Sequence, residues 1–364
     1  MVTTFPEQQA RLLEEFPALA DYARTAVRLH PRPGSPKPAD SSVGGPLLWP
    51  GDEPWPTCAE PHVGRRKAAR AAQAGQASRE QRDLEVTRRA AEVARLEALG
   101  PAVPEGILRA SRESLARAEA APHAEPQPIA PEAVQAPEPT VMVPILQIYR
   151  RDVPQLPFAG TDDLLQLLWC PEQHEATRAP RPQVFWRRSA DVVDPLVAAP
   201  GPNRFYDLGY VPNPCVIHPE SVPEYPPIGT LSPDDADYKP FGVLPAALET
   251  RIRLWSARQP ERYGYPSIAH APGWKLLGWE TSGPDADRST SCSCGRPADL
   301  LLDAFRSEDL GGPWQPQGGT EFVWGDPANW EDQEPTEVDI APDGTFQIWL
   351  CSYSAQHPPV IGIS

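Results

Sequence analysis

The chain has 364 residues and a net charge of −16, and its 49 prolines and 25 glycines predict short elements joined by rigid turns. Its 40% hydrophobic residues and 11 tryptophans exclude a disordered protein, and no stretch has the roughly 18 apolar residues of a membrane helix. The negative charge argues against a nucleic-acid partner, because the phosphate backbone would repel the chain.

Residues 1–30 predict an N-terminal helix. Apolar residues recur with helical spacing from Leu12 to Val27, and Pro17 predicts a break or kink. Prolines within residues 31–38 then end the helix in an extended linker. The segment lacks the basic start and apolar run of a secretory signal peptide, so we expect a cytoplasmic protein with no membrane contact.

Residues 63–140 differ in composition from the rest of the chain, because Ala, Arg, Glu and Leu dominate them. These residue types favour helices, and Gly100 and Pro101 separate two helical stretches before a proline-rich linker at 122–139. We predict a helical hairpin with a linker, inserted into a β-rich domain. It is either a solvated charged arm or a partner-binding helix. The β-rich domain is formed by residues 40–62 and 141–364.

After residue 140 the chain returns to strand-like patterns, with apolar runs bounded by turn residues. A segment at 244–256 is predicted to be helical. The helices and strands together predict an α+β fold. The predicted strands are residues 143–149, 164–170, 184–186, 275–279 and 345–351.

An internal similarity links the two ends of this β-rich domain. The stretch Ile145–Val153 resembles Leu301–Leu310, and each is followed by an apolar run that ends in a cysteine, Cys170 or Cys351. We therefore predict two related β-containing halves around one core. The predicted halves are residues 43–200 and residues 245–364.

Several motifs of the chain recur in one bacterial family. They are GGPLLWPGDEPWPTC, VPILQIYRRDVPQLPF, DLLQLLWCPEQH, WKLLGWE and CSCG. With them the chain resembles the YwqG-like domain of unknown function over most of residues 40–60, 141–220 and 270–357, but not over the helical insertion. The resemblance implies an α+β domain and transfers no activity. Relatives near toxin and immunity systems point weakly to an immunity-like role in protein binding.

The sharpest chemical pattern is a candidate zinc site in the second half, formed by Cys292, Cys294, Cys351 and His357. Structural zinc is held by four Cys or His ligands in a tetrahedron. Without a secretory signal, cysteines are reduced thiols or metal ligands rather than a disulfide framework. The alternative is that these residues are small thiols buried at strand ends.

The first half offers a weaker counterpart of this pattern. Its four candidate ligands are Cys58, His62, Cys170 and His174. A thiolate–imidazole pair from Cys215 and His218 is disfavoured, because in an extended strand side chains three residues apart point to opposite faces. We expect Cys215 to be a loop cysteine.

A candidate partner-binding surface combines aromatic and acidic residues near the C-terminus. Its residues are Trp324, Trp330, Glu331, Asp332 and Glu334. Indole offers apolar area with one donor, and clustered carboxylates attract a basic partner. A solvated charge run is the alternative.

The sequence contains no Gly-x-Ser-x-Gly elbow, phosphate-cradling glycine loop or His-Glu-x-x-His motif. We therefore assign no catalytic residue and predict a non-enzymatic protein-binding module. The alternative is a metal-dependent enzyme of unknown reaction that uses the Cys/His zinc site. The oligomeric state is not predicted.

Overall fold

The computed structural model of the protein describes most of the chain. Two compact units divide it, one formed by Met1–His62 with Glu138–Ser364 and the other by Val63–Pro137. The described residues are 7–60, 62, 86–91, 93–98, 105–120, 139–174, 177–201, 208–229, 241–260, 263–281, 291–308, 313–314, 333–341 and 344–363.

Helices and antiparallel strands together make the fold α+β. The α-helices are α1 (Glu7–Glu15), α2 (Glu105–Ala120), α3 (Ala246–Ser256) and α4 (Tyr265–Ala269), and the 3-10 helices are Pro17–Tyr22, Ser189–Asp191 and Leu208–Tyr210. The strands are β1 (Arg24–Arg28), β2 (Arg32–Pro33), β3 (Ser42–Val43), β4 (Thr57–Cys58), β5 (Thr140–Val141), β6 (Val143–Tyr149), β7 (Leu164–Trp169), β8 (Pro182–Arg187), β9 (Cys215–Val216), β10 (Glu220–Glu224), β11 (Trp274–Leu277), β12 (Ala298–Phe305), β13 (Thr345–Cys351) and β14 (Val360–Ile363). None of the described helices is both long and apolar enough to cross a bilayer.

Two six-stranded antiparallel sheets form the body of the larger unit. Sheet N has the order β2-β9-β3-β6-β7-β8, and sheet C has the order β10-β1-β11-β12-β13-β14. Strands β4 and β5 pair separately, where the chain leaves for the smaller unit and returns from it. The chain passes from one sheet to the other at two points. Strand β1 lies in sheet C and the next strand, β2, lies in sheet N, whereas β9 lies in sheet N and β10 lies in sheet C.

The main hydrophobic core contains the inner faces of both sheets. Trp169 of β7 packs edge-to-face on Phe346 of β13, with ring centroids 5.5 Å apart, and lies 6.4 Å from the ring of Trp274. Alternation along each strand sends every second side chain into this core. Leu276, Leu302 and similar apolar residues of both sheets fill it.

The two central hairpins, β6–β7 and β12–β13, have the same irregularity in their strand pairing. In β6–β7 the pairing shifts between Pro144 and Leu146, and in β12–β13 it shifts between Leu300 and Leu302. Each shift is a bulge, which bends the strand and re-aims the residues beside it. Beyond the bulge, each hairpin places a pair of polar residues on its outer face.

On the outer face of sheet N this polar pair is Gln147 and Gln166. The Nε2 of Gln166 donates to Gln147 Oε1 at 2.9 Å and to the carbonyl of Leu48 at 2.8 Å. The backbone N–H of Leu48 also donates to Gln147 Oε1, at 2.7 Å. The two amides thus bind the loop that follows β3.

On the outer face of sheet C the pair is Asp303 and Gln347. The Nε2 of Gln347 donates to Asp303 Oδ2 at 3.0 Å and to the carbonyl of Thr281 at 2.9 Å, and the N–H of Thr281 donates to Asp303 Oδ2 at 3.1 Å. Here a buried charge is added, because Lys275 Nζ contacts Glu224 Oε1 at 2.6 Å and Asp303 Oδ2 at 3.9 Å.

The N-terminal segment differs from the predicted helix over residues 1–30. The α-helix ends at Glu15, a 3-10 helix follows Pro17, and Arg24–Arg28 forms a strand. Strand β1 pairs with β10 on one side and β11 on the other, so its ladder hydrogen bonds come from residues about 200 or more positions away in the chain. Tertiary pairing therefore overrides the helical spacing of this segment.

The smaller unit is helical in its described part. Residues 86–91 and 93–98 are helical, and α2 follows. Within this unit Arg112 pairs with Glu97, and Arg89 donates to Ser114. These contacts join the two helical stretches.

Candidate metal centres

The C cluster consists of Cys292, Cys294, Cys351 and His357, the four residues singled out from the second half of the sequence. Cys351 is the last residue of β13. Cys292 and Cys294 lie in a tight turn in which the N–H of Cys292 donates to the Arg296 carbonyl at 2.9 Å. Gly295 closes the turn with a φ of +79°, a left-handed conformation that favours glycine.

The donor atoms of the C cluster converge to the spacing of a metal site. His357 Nδ1 lies 3.3 Å from Cys351 Sγ and 3.5 Å from Cys292 Sγ, and Cys294 Sγ lies 3.6 Å from Cys351 Sγ. All four atoms lie within 4.8 Å of one another. Zinc bonds of ordinary length place tetrahedral ligands about 3.3–3.8 Å apart, so these residues could hold a zinc ion.

The N cluster consists of Cys58, His62, Cys170 and His174, the weaker candidate set from the first half. Cys58 ends β4 and Cys170 follows β7 directly. Cys58 Sγ lies 3.2 Å from His174 Nε2, and Cys170 Sγ lies 3.1 Å from His62 Nε2. These four donor atoms also lie within 4.8 Å of one another, so the cluster could hold a metal ion as well.

The N cluster has partners behind its histidines. His174 Nδ1 lies 3.2 Å from the carbonyl of Ala179, which can only accept, so Nδ1 donates a hydrogen bond to it. His62 Nδ1 lies 3.8 Å from Glu172 Oε1, which accepts a hydrogen bond from Thr140. Such outer partners orient metal-binding imidazoles.

The thiols of the C cluster titrate differently, since the pKa is lowered for Cys292 and Cys351 and raised for Cys294. Hydrogen bonding to Cys351 and Cys292 raises the pKa of His357. Burial acts to raise the pKa of Cys351, but the backbone N–H of Tyr353 and the imidazole of His357 bring it to about 6. The thiolate form, which is the form that binds metal, is therefore accessible at neutral pH.

In the N cluster the two thiols share one proton. The hydrogen bond from Cys170 lowers the pKa of Cys58, with further help from His174 and His62 against the effect of burial. The same hydrogen bond, together with burial, raises the pKa of Cys170. A divalent cation would relieve this coupling, because it stabilises both thiolates at once.

A groove with a cavity volume of about 980 Å³ borders both clusters, and its lining includes Cys58, Cys351 and His357. One wall is residues 181–187, which contain β8, the last strand of sheet N among the described residues. The lining also includes the loop that follows β13 and Asp299 of β12.

The predicted partner-binding surface is only partly described. Glu334 Oε2 forms an ion pair with Arg306 Nε at 2.9 Å, and Arg306 also pairs with Asp339. This carboxylate is therefore bound within the chain. The other four residues lie outside the described part of the chain: Trp324, Trp330, Glu331 and Asp332.

Cys215 lies apart from both clusters. It is part of β9 rather than a loop, and its thiol is buried and donates to the Pro335 carbonyl at 3.3 Å. Burial raises its pKa to about 12, so the thiol stays protonated. A protonated thiol is not an active nucleophile.

Two partners of the N cluster, Glu172 and Ala179, were not predicted. The sequence contained a signal for this cluster, because Cys58 precedes His62 by four residues and Cys170 precedes His174 by four residues. The contact to Ala179 could not be predicted, because it depends on a turn in which Arg178 has a φ of +53°.

Comparison with protein-family models and with curated proteins finds no match to this chain. The resemblance to the YwqG-like domain therefore stays a prediction from the motifs.

Proposed function

We propose that the protein is a non-enzymatic protein-binding module whose fold is held by zinc in the C cluster. The observation that carries the zinc assignment is the convergence of four donors, from Cys292, Cys294, Cys351 and His357. Three donor pairs are 3.3–3.6 Å apart, and all four atoms lie within 4.8 Å of one another. Thiolate-rich four-ligand sites are typical of structural zinc. Reduced thiols in both clusters agree with a reducing compartment such as the cytoplasm.

The four-ligand set argues against the alternative, a metal-dependent enzyme. Catalytic zinc keeps one coordination position open for water or substrate. In the C cluster four protein donors complete the tetrahedron, so a reaction at the metal would first have to displace one of them. We therefore favour a structural role for the ion.

Internal duplication is the origin that we propose for this fold. It is supported by the equal order of the two sheets and by the bulge at the same position in both central hairpins. It is also supported by Leu29-His30-Pro31 and Ile217-His218-Pro219, which join β1 to β2 and β9 to β10. We place the repeats at residues 24–200 and 215–363, earlier than the predicted halves, with their first strands exchanged between the sheets. The insertion at 63–140 is a helical hairpin in this proposal.

The partner that we propose is an extended peptide segment with basic side chains, bound along β8 in the groove. The Cys170 N–H donates to the Arg181 carbonyl at 2.9 Å, so the odd-numbered residues of β8 face β7. The backbone groups of Val184 and Trp186 then face away from β7, where an added strand can pair with them. Asp162 and Asp299 line the groove and form no ion pair with any described residue, and the net charge of −16 also favours a basic partner.

Zinc content tests the metal part of this proposal. We expect Cys292→Ser to lose one zinc ion per chain, whereas the matched control Cys215→Ser keeps the wild-type content. Both replace a buried thiol, but only Cys292 belongs to a four-donor set. Equal zinc content in the two variants would contradict the assignment.

Peptide binding tests the partner part. The probe is a labelled peptide of about seven residues that alternates valine and lysine, long enough to cover β8. We expect Val184→Pro to weaken binding at least about tenfold, because it removes an outward N–H while leaving the β7 ladder intact. Asp299→Asn should weaken binding less. Unchanged affinity in Val184→Pro, measured by fluorescence anisotropy, would exclude strand addition at β8.

A further inference from the structure

We infer that the N cluster is a second structural zinc site, distinct from that of the proposed function, and that its ion fastens the base from which residues 63–137 leave the larger unit. Its ligands are Cys58, His62, Cys170 and His174. None of them belongs to the C cluster.

The donor atoms of the N cluster converge on one centre, slightly closer together than the spacing of about 3.3–3.8 Å around a bound zinc ion. Each thiol sulfur faces an imidazole nitrogen at 3.1–3.2 Å, and all four donors lie within 4.8 Å of one another. A Cys2His2 set is a common structural zinc site. The two histidine rings lie edge to face with centroids 4.8 Å apart, which brings both Nε2 atoms to the same centre.

The proton on His174 points away from that centre. Its Nδ1–H donates to the Ala179 carbonyl, and the backbone N–H of His174 donates to the same carbonyl at 3.2 Å. These hydrogen bonds orient the ring so that its Nε2 faces Cys58 Sγ, 3.2 Å away.

Burial makes the N cluster a closed site. Cys58, Cys170 and His174 are 5%, 0% and 3% exposed, and His62 alone is partly exposed. The cluster thus brings two thiols and two imidazoles into one closed space. A divalent cation satisfies all four donors together.

The position of the site in the chain points to its role. Cys58 pairs with Thr140 at the end of the two-residue ladder β4–β5, and His62 lies at the boundary before Val63–Pro137. Cys170 and His174 lie in the segment that follows β7. The base of this long insertion is paired through the two-residue ladder and a single bridge between His62 and His174. A metal that crosslinks it to the segment after β7 closes a long loop, which stabilises the fold as a disulfide would.

Zinc content of matched variants tests the inference. We expect two zinc ions in the wild-type chain, one in Cys170→Ser, one in Cys292→Ser and two in Cys215→Ser. If Cys170→Ser keeps the wild-type content, the inference is wrong while the proposed C-cluster site can still stand. If only Cys170→Ser loses zinc, the inference stands and the C-cluster assignment fails.

A milder variant covers the case in which Cys170→Ser does not fold. His62 is the partly exposed ligand, and His62→Gln removes one donor at the edge of the site. With Co²⁺ in place of zinc, we expect this variant to lose the tetrahedral visible absorption of one ion while keeping that of the other. We also expect faster amide exchange at Cys58 and Thr140. Unchanged absorption and exchange would overturn the inference.

Discussion

The outer faces of the two sheets bind a neighbouring loop through different side chains. In sheet N the loop after β3 is bound by the neutral pair Gln147 and Gln166, whereas in sheet C the same hydrogen bonds come from Asp303 and Gln347. Ser42 pairs with Gln147 in sheet N, and Lys275 pairs with Asp303 in sheet C. The comparison teaches that this arrangement accepts a buried carboxylate only where a buried ammonium group accompanies it.

The two clusters also lie at corresponding positions of the two sheets and differ in the residues that form them. Each uses a cysteine at the end of the strand that pairs with the bulged strand, Cys170 in one and Cys351 in the other. The N cluster adds two histidines and is largely buried, whereas the C cluster has three cysteines, one histidine and an exposed Cys294. We therefore expect the two sites to hold metal with different kinetics.

Removing the buried ammonium group of sheet C should have the largest effect. Lys275→Met leaves Glu224 and Asp303 buried without their cation, and we expect the free energy of unfolding to fall by about 3–5 kcal/mol. Urea denaturation measures this change. Ser42→Ala is the control at the matching position of sheet N, because the Ser42 hydroxyl has no hydrogen-bond partner among the described residues. A loss of equal size in both variants would remove the distinction between the sheets.

Acidification should have the next largest effect, through the buried His270, which directly follows α4. Burial, reinforced by Lys275, lowers the pKa of His270 to about 3. Because the unfolded chain binds this proton at its ordinary pKa and the folded chain does not, stability is full above about pH 6.5 and falls as the pH drops toward 3, by up to about 1.4 kcal/mol per pH unit.

The variant His270→Gln isolates this contribution. We expect its stability to decline less between pH 6.5 and pH 5 than that of the wild type, in urea melts at each pH. Parallel curves for the two proteins would show that His270 does not contribute to the pH dependence.

Metal exchange should distinguish the clusters by a smaller factor. With a coloured chelator in excess, we expect one zinc ion to leave at least about tenfold faster than the other, because Cys294 is exposed while the N cluster is buried and His174 is fixed by Ala179. Cys294→Ser should remove the fast phase alone. One common rate for both ions would contradict this difference.

Much of the β-structure follows from local sequence. The apolar runs at 143–149 and 345–351 predict β6 and β13 to the residue, since each lies between turn residues and is buried on both faces. The sequence also predicts the four residues of the C cluster as candidate zinc ligands, and the fold brings them together.

The crossing of the chain from one sheet to the other, after β1 and after β9, could not be predicted from the local sequence pattern. Arg24–Arg28 carries the helical spacing of the segment before it, and it becomes a strand only because β10 and β11 supply its ladder. A signal was nevertheless present, since Leu29-His30-Pro31 recurs as Ile217-His218-Pro219. That repeat marks the point in each half where the chain crosses between the sheets.

Zinc K-edge absorption combined with metal content tests the central claim, that the chain holds two zinc ions in matched sites of different composition. Five cysteines and three histidines form the two clusters, so we expect two zinc ions that share sulfur and nitrogen ligands in a 5:3 ratio. The bonds should be about 2.3 Å to sulfur and about 2.0–2.1 Å to nitrogen. One zinc ion per chain, or a water oxygen in the average shell, would contradict the account.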